Sequence, residues 1–198
     1  MRHLVYVHGF LSAPQSSKAQ YTGAWLSAQH PEWQFHCPAV SSYPDVANGQ
    51  IETLLQGLPL QETGLIGSSL GGFWATRFAE RFNLPAALIN PAVAPHTRFQ
   101  HWIGQPLQSY YGDAVYTLEA RHLALLGEFD VATITRPENF WVMVQTGDET
   151  LDYRQAVARY AGCKQTVEAG GSHTFDGYEQ WLPEILRFMG ERLGQAHA

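Results

Sequence analysis

The sequence is poor in features that mark several protein classes. It holds two cysteines in 198 residues, Cys37 and Cys163. That is too few for a disulfide framework, and each is expected as a buried free thiol. Positive charge is not in excess: 12 Lys and Arg against 18 Asp and Glu leave a formal net charge of −6. A chain of that sign has no electrostatic footprint for nucleic acid or an anionic membrane surface. No apolar run approaches the roughly 18 residues of a membrane span. The opening Met1-Arg2-His3-Leu4-Val5-Tyr6-Val7 has too short an apolar stretch for a signal peptide, and no small-residue cleavage site follows it. The cytoplasm is therefore the expected compartment. There is no internal repeat, low-complexity tract or linker. With 45% apolar and 15% charged residues, the chain is not globally disordered. Its length suits a single domain over residues 1–198, large enough to bury a core.

What is there is an alternation. Short apolar runs lie at 3–7, 33–37, 65–66, 86–89, 140–144 and 164–167, each bounded by Gly, Pro, Asn or Ser. These read as strands. Helix-like stretches lie between them. One covers 16–29, with serines at its entrance. A second is expected from a cap at Asp45 through Leu55. Others run from Gly72 to Phe82 and from Asp152 to Ala161. A final helix-like stretch follows, in which Tyr178, Trp181, Leu182, Ile185, Leu186, Met189 and Leu193 share one stripe, with Pro183 expected in the first turn. Such β-α-β-α order predicts a six-stranded, mostly parallel twisted sheet with helices on both faces. Segment 91–139 breaks the rhythm, with a helix-like piece at 117–126 and no strong strand. It is expected to form small helices, a modest cap over one sheet edge. Its Phe99, Trp102, Tyr110, Tyr111 and Tyr116 would either line a pocket there or pack under the excursion.

The sharpest motif is Gly67-Ser68-Ser69-Leu70-Gly71, a G-x-S-x-G between a strand and a helix. That setting suits a nucleophile elbow, in which a sharp turn lifts the serine oxygen above the sheet edge. Ser69 needs a base. His173, in Gly170-Gly171-Ser172-His173, follows the last strand and reaches the same edge. His30, His36, His96, His101 and His122 lack such a setting, and His197 falls in the tail. The base needs a carboxylate to fix its tautomer and stabilise the imidazolium. Asp148, in Thr146-Gly147-Asp148-Glu149, is favoured over Asp152, which better suits a helix cap. Glu149 is expected to point elsewhere. The chain order Ser, Asp, His is that of α/β-hydrolases. Oxyanion donors are expected at the backbone N–H of Leu70, which opens the helix, and of Phe10, in the loop His8-Gly9-Phe10-Leu11. In strand order 2-1-3-4-5-6 the sheet reverses between strands 1 and 3, where these two loops meet. Each donor is worth on the order of 10²–10³ in rate. His8 is expected to be structural.

Together, His8-Gly9-Phe10, Gly67 to Gly72, Thr146-Gly147-Asp148-Glu149 and Gly170 to His173 resemble the α/β-hydrolase superfamily. More narrowly, the chain resembles the small bacterial YqiA-like esterases, also grouped with YcfP-like proteins. Tyr6 to Pro14, Asn90-Pro91-Ala92-Val93, Leu118 to His122 and Gln145 to Ala156 add to the likeness, which is least distinctive over 97–117. It implies a compact α/β-hydrolase fold and a serine esterase or thioesterase. It also implies no metal and no organic cofactor.

The expected reaction is a two-step acyl transfer through Ser69, His173 and Asp148, on small-molecule esters or thioesters of short or medium acyl chain. An amidase or peptidase with the same triad, and a non-catalytic binding protein of the same fold, stay open. Haloalkane-type chemistry is excluded, since it wants a carboxylate where Ser69 stands. Whether 97–117 is a mobile lid, fixed packing or a dimer contact is open.

Overall fold

A computed structural model describes residues 1–195. Along the chain lie β1 (Arg2–Val7), α1 (Ser17–Gln29), β2 (Trp33–His36), α2 (Pro44–Gln56), β3 (Thr63–Ser68), α3 (Leu70–Phe82) and β4 (Ala86–Ile89). The excursion holds α4 (Pro95–Arg98), β5 (Pro106–Gln108), β6 (Val115–Thr117) and α5 (Ala120–Phe129). The chain then returns through β7 (Phe140–Gln145), α6 (Tyr153–Arg159), β8 (Lys164–Glu168) and α7 (Tyr178–Gln195).

Six strands form one sheet in the order β2-β1-β3-β4-β7-β8. Every pairing in it is parallel. This is the expected 2-1-3-4-5-6 order, with the reversal between β1 and β3. Strands buried on both faces need continuous apolar runs, which explains why β7, Phe-Trp-Val-Met-Val-Gln, is buried throughout. Alternate side chains divide between two cores. Val5, Leu65, Phe140 and Val142 pack under α2, α3 and α6, with Ile51, Trp74 and Ala156. Leu4, Ile66, Trp141 and Met143 pack under α1 and α7, with Leu26, Ile185 and Met189. Helices therefore cover both faces, and all six loops at the strand carboxyl ends emerge on one edge.

Four expectations about helices and the cap need correction. Helix α2 is not capped by Asp45. Pro44 takes the first position, where its fixed φ fits and its missing N–H costs nothing, so Tyr43 is the cap residue and Asp45 sits inside the first turn. Helix α7 begins at Tyr178, so Pro183 falls beyond its first turn and removes one intrahelical hydrogen bond. The early start is fixed by Tyr178 itself, whose buried hydroxyl shares a hydrogen bond with Thr22 Oγ1 at 2.8 Å. The excursion is not built of helices alone. Beside α4, a 3₁₀ turn at Phe99–Trp102 and α5, it carries an antiparallel β5–β6 ladder that pairs Pro106 with Thr117 and Gln108 with Val115. Strands of three residues, with only the middle one partly buried, are too short to show a period in sequence. Thr117 is therefore in a strand. Helix α5 starts later, at Ala120, where the Glu119 side chain and the His122 ring form a capping box.

No helix among the described residues is long and apolar enough to cross a membrane. His197 lies outside the described residues.

Candidate active site

Ser69 occupies the turn between β3 and α3 with φ 56° and ψ −122°. A residue with a Cβ rarely adopts that conformation, and it stores on the order of 1–3 kcal/mol of strain. Neighbouring backbone holds it there. Ser69 N–H donates to Ile89 O at 3.0 Å, and Ser69 O accepts from Gly72 at 2.9 Å and Ala92 at 3.0 Å. The tightest requirement is at Gly71, where a Cβ would stand 1.9 Å from Val7 O. Only glycine lets α3 start this close to β1, and that closeness brings the loop after β1 onto Ser69. Within that loop, a Cβ on Gly9 would lie 3.3 Å from Ser69 Cβ.

His173 reaches Ser69 from the loop after β8. Its Nε2 stands 3.0 Å from Ser69 Oγ. Its Nδ1 stands 3.0 and 2.9 Å from the two Asp148 oxygens. An ionised Asp148 only accepts, so Nδ1 carries the proton and Nε2 accepts from the serine hydroxyl. The Asp148 side chain is 1% exposed and the His173 side chain 22%. Burial pushes the Asp148 carboxyl up, but the His173 hydrogen bond and the Leu151 and Thr150 N–H donors outweigh it. The net shift is below the ordinary carboxylate value. The two N–H bonds, both 2.8 Å, fall on Oδ1. Asp152 takes the other role: it caps α6, accepting from Arg154 N–H at 3.1 Å.

Of the two expected oxyanion donors, Leu70 directly follows Ser69 and Phe10 lines the same cavity as Ser69. Leu70 is the first residue of α3, where an N–H has no partner within the helix. The Phe10 N–H makes no hydrogen bond among the described residues. The loop carrying it is fixed on both sides. Leu11 N–H donates to Ser42 Oγ at 3.1 Å, and Leu11 O accepts from Tyr110 N–H at 2.8 Å. His8 is buried. Its Nε2 accepts from Val40 N–H at 3.0 Å, so Nδ1 carries the proton and donates to Gly9 O at 3.0 Å. Burial pushes its pKa down. It ties the loop after β1 to the loop after β2.

Three polar residues that support His173 were not anticipated. Asn90 Nδ2 donates to Ser172 O at 3.0 Å and His173 O at 3.1 Å, while its Oδ1 accepts from Gln145 N–H at 3.0 Å. Gln145 Oε1 accepts from Ser172 N–H at 3.0 Å and Asp176 N–H at 2.8 Å. Glu149 does not point away from the site, as the sequence suggested: its Oε2 accepts from His173 N–H at 2.9 Å. The one sequence signal available was Asn90, an asparagine at a strand end before proline, which here has φ 41°.

A cavity of about 300 Å³ opens onto Ser69 and His173. Phe10, Phe99 and Trp102 form one wall, with ring centroids 4.7 to 5.6 Å apart. Tyr110 and Tyr111 also line it. Tyr116 does not, and packs instead on Tyr43 at 5.1 Å. The cap aromatics thus divide between pocket and packing. Among the described residues, no group of three His, Cys, Asp or Glu side chains is placed to hold a metal ion.

Comparison with solved structures places the fold. Est1E from Butyrivibrio proteoclasticus superposes with a TM-score of 0.70 at 14% identity, covering 98% of this chain and 88% of that one. Alpha/beta hydrolase domain-containing protein 10 from mouse gives 0.74 at 14% identity, with 96% and 90% covered. The thioesterase domain from the curacin biosynthetic pathway gives 0.61 at 15% identity, with 93% and 91% covered. The architecture is the α/β-hydrolase fold, as the sequence led us to expect. The model of the family described as "Uncharacterised protein family (UPF0227)" matches residues 3–190, and the chain belongs to that family.

Proposed function

We propose that this protein is a serine hydrolase that cleaves carboxylic ester or thioester bonds of small-molecule substrates through an acyl-enzyme. The observation that carries the reading is the Ser69–His173–Asp148 chain of contacts, at 3.0 Å between Oγ and Nε2 and 2.9 Å between Nδ1 and the carboxylate. The presence of an esterase domain and a thioesterase domain among the structural neighbours supports it.

His173 Nε2 takes the Ser69 proton as Oγ attacks the scissile carbonyl. Asp148 holds the imidazole and stabilises the imidazolium. The N–H groups of Phe10 and Leu70 bind the oxygen as it becomes negative. His173 then passes its proton to the leaving alcohol or thiol. Next it takes a proton from water as the water oxygen bonds to the acyl carbon, and returns that proton to Ser69 Oγ as the Oγ–acyl bond breaks and the acid departs. A cavity of about 300 Å³ with an aromatic wall suits a short or medium acyl chain. The whole chain acts as one catalytic domain. Its two free thiols, Cys37 and Cys163, are partly rather than fully buried, which still lifts their pKa values to about 12 and about 11, and such protonated thiols fit a reducing cytoplasm.

Labelling with a fluorophosphonate probe, read by intact mass and peptide mapping, tests this reading. One adduct at Ser69, lost in Ser69→Ala and in heat-unfolded protein, is expected. A folded protein that takes no label at Ser69 and turns over no ester refutes it.

A further inference from the structure

The cavity over Ser69 carries charge of one sign. The chain has 18 acidic against 12 basic side chains, yet no Asp or Glu lines the cavity and two cations do, Lys18 and Arg98. Both are partly buried. Among the described residues neither forms an ion pair. Lys18 Nζ donates to Thr174 O at 2.6 Å, and Arg98 Nη2 donates to Thr150 O. Those carbonyls belong to the residue after His173 and the second residue after Asp148. Each cation thus stands beside the reacting centre with one donor committed and the rest free.

The start of α1 adds to this field. Ser16 is the cap residue, but its side chain makes no capping bond and no acidic residue occupies the first turn. Ser16 Oγ is buried without a partner, in the cavity lining together with Ser12, Ser17 and Lys18. The helix therefore turns an unquenched positive end toward the cavity. Anchoring the loops at 150 and 174 does not by itself call for charge, since a neutral donor satisfies a carbonyl. Burial costs a cation more than a neutral group and pushes the Lys18 pKa down, opposed by Glu179. An anion arriving in the cavity would offset that cost.

We propose that the molecule cleaved at Ser69 carries an anionic group, carboxylate or phosphate, which Lys18 and Arg98 recognise within this cavity. The inference rests on the hydrolase reading and specifies its substrate class. The anion belongs either to the acyl half or to the leaving half, and the test separates them.

Three esters of matched size form the arms: one neutral, one with a terminal carboxylate on the acyl chain, one with a phosphate on the alcohol. The readout is kcat/KM of each anionic ester relative to the neutral one. The wild-type protein should prefer one anionic ester at least tenfold, which also identifies the half that carries the charge. Lys18→Gln and Arg98→Gln should each reduce that preference about tenfold, and Lys18→Arg should restore it. If the two side chains only anchor loops, all three esters fall by one factor and the preference stays, which overturns the proposal. A wild-type protein with no preference for either anionic ester overturns it as well. If no ester is cleaved, the hydrolase reading has failed instead. Calorimetry then decides the subsite alone, with the same esters binding to Ser69→Ala and to Ser69→Ala/Lys18→Gln. Tighter binding of an anionic ester that depends on Lys18 supports the subsite, and equal binding of all three refutes it.

Discussion

Asp148→Asn should abolish turnover for a reason visible in the hydrogen bonds. In the native site Oδ1 accepts two backbone N–H groups, from Thr150 and Leu151, both at 2.8 Å. An asparagine must keep its oxygen on those donors, because an NH₂ there would face two N–H groups. Its amide nitrogen is then left facing His173 Nδ1, where the closer carboxylate oxygen stood at 2.9 Å. A donor at that place forces Nδ1 to accept, so the imidazole proton moves to Nε2. Nε2 would then donate toward Ser69 and could no longer take its proton. Loss of both the tautomer and the imidazolium's counter-charge is worth roughly 10⁴ in kcat in a triad of this type. That corresponds to about 5 kcal/mol of barrier, at about 1.36 kcal/mol per tenfold. The assay is steady-state hydrolysis of a short-chain p-nitrophenyl ester, with thermal unfolding run alongside. A kcat within tenfold of wild type, in a variant that folds normally, would refute both the tautomer argument and Asp148's role as the orienting carboxylate.

Three further outcomes follow from the same geometry. Ser69→Gly should be about 1 kcal/mol more stable than Ser69→Ala in urea melts. Both lose the hydroxyl, but only glycine relieves the φ of 56°, and relief of roughly 1–3 kcal/mol exceeds the roughly 0.5–1 kcal/mol of added chain entropy. Asn90→Ala removes the donors to Ser172 O and His173 O and should lower kcat about tenfold through looser placement of His173. Esterase assays in which kcat stays unchanged would count against that positioning role. The pH dependence of stability should carry a contribution from Asp148. Its folded pKa lies below the ordinary 3.8, so its stabilisation is fully present above that value and is lost as pH falls through the folded pKa. The stability gap between wild type and Asp148→Asn should therefore narrow as pH drops from about 5 to about 2 in denaturant titrations. A constant gap would contradict the depressed pKa.

The parts of this molecule that were legible in sequence share a cause. The inner strands β1, β3, β4 and β7 are buried or nearly buried runs, the edge strands β2 and β8 are shorter or less buried, and all six have glycine, proline or asparagine near their ends, so the pattern is local. Ser69, Asp148 and His173 were legible because each follows a strand, and strand carboxyl ends in a parallel sheet share one edge whatever the helices do. Topology therefore brought distant residues together without any need to read their contacts. The β5–β6 ladder was not legible, because three-residue strands on a solvated hairpin bury too little to leave a pattern. The start of α7 was hidden for the opposite reason: Tyr178 is fixed by a contact with Thr22, 156 residues away.

Asn90, Gln145 and Glu149 show a sharper limit. Each holds the His173 loop through that loop's backbone rather than its side chains. Asn90 and Gln145 together meet the N–H or C=O groups of Ser172, His173 and Asp176, and Glu149 takes the His173 N–H. A backbone group has no residue identity, so no motif at 172–176 announces which amide will need a partner. Two of the three also stand where another reading was natural, Asn90 as a strand stop and Glu149 as the outward neighbour of Asp148. The loop they hold has few apolar anchors beyond Phe175, which is buried at φ 62°. Its geometry therefore depends on these polar tethers, and so does the 3.0 Å between His173 and Ser69. A single-sequence reading of a site of this kind is therefore strongest for groups that would do chemistry and weakest for those that hold them. The second set has to be found in the hydrogen bonds.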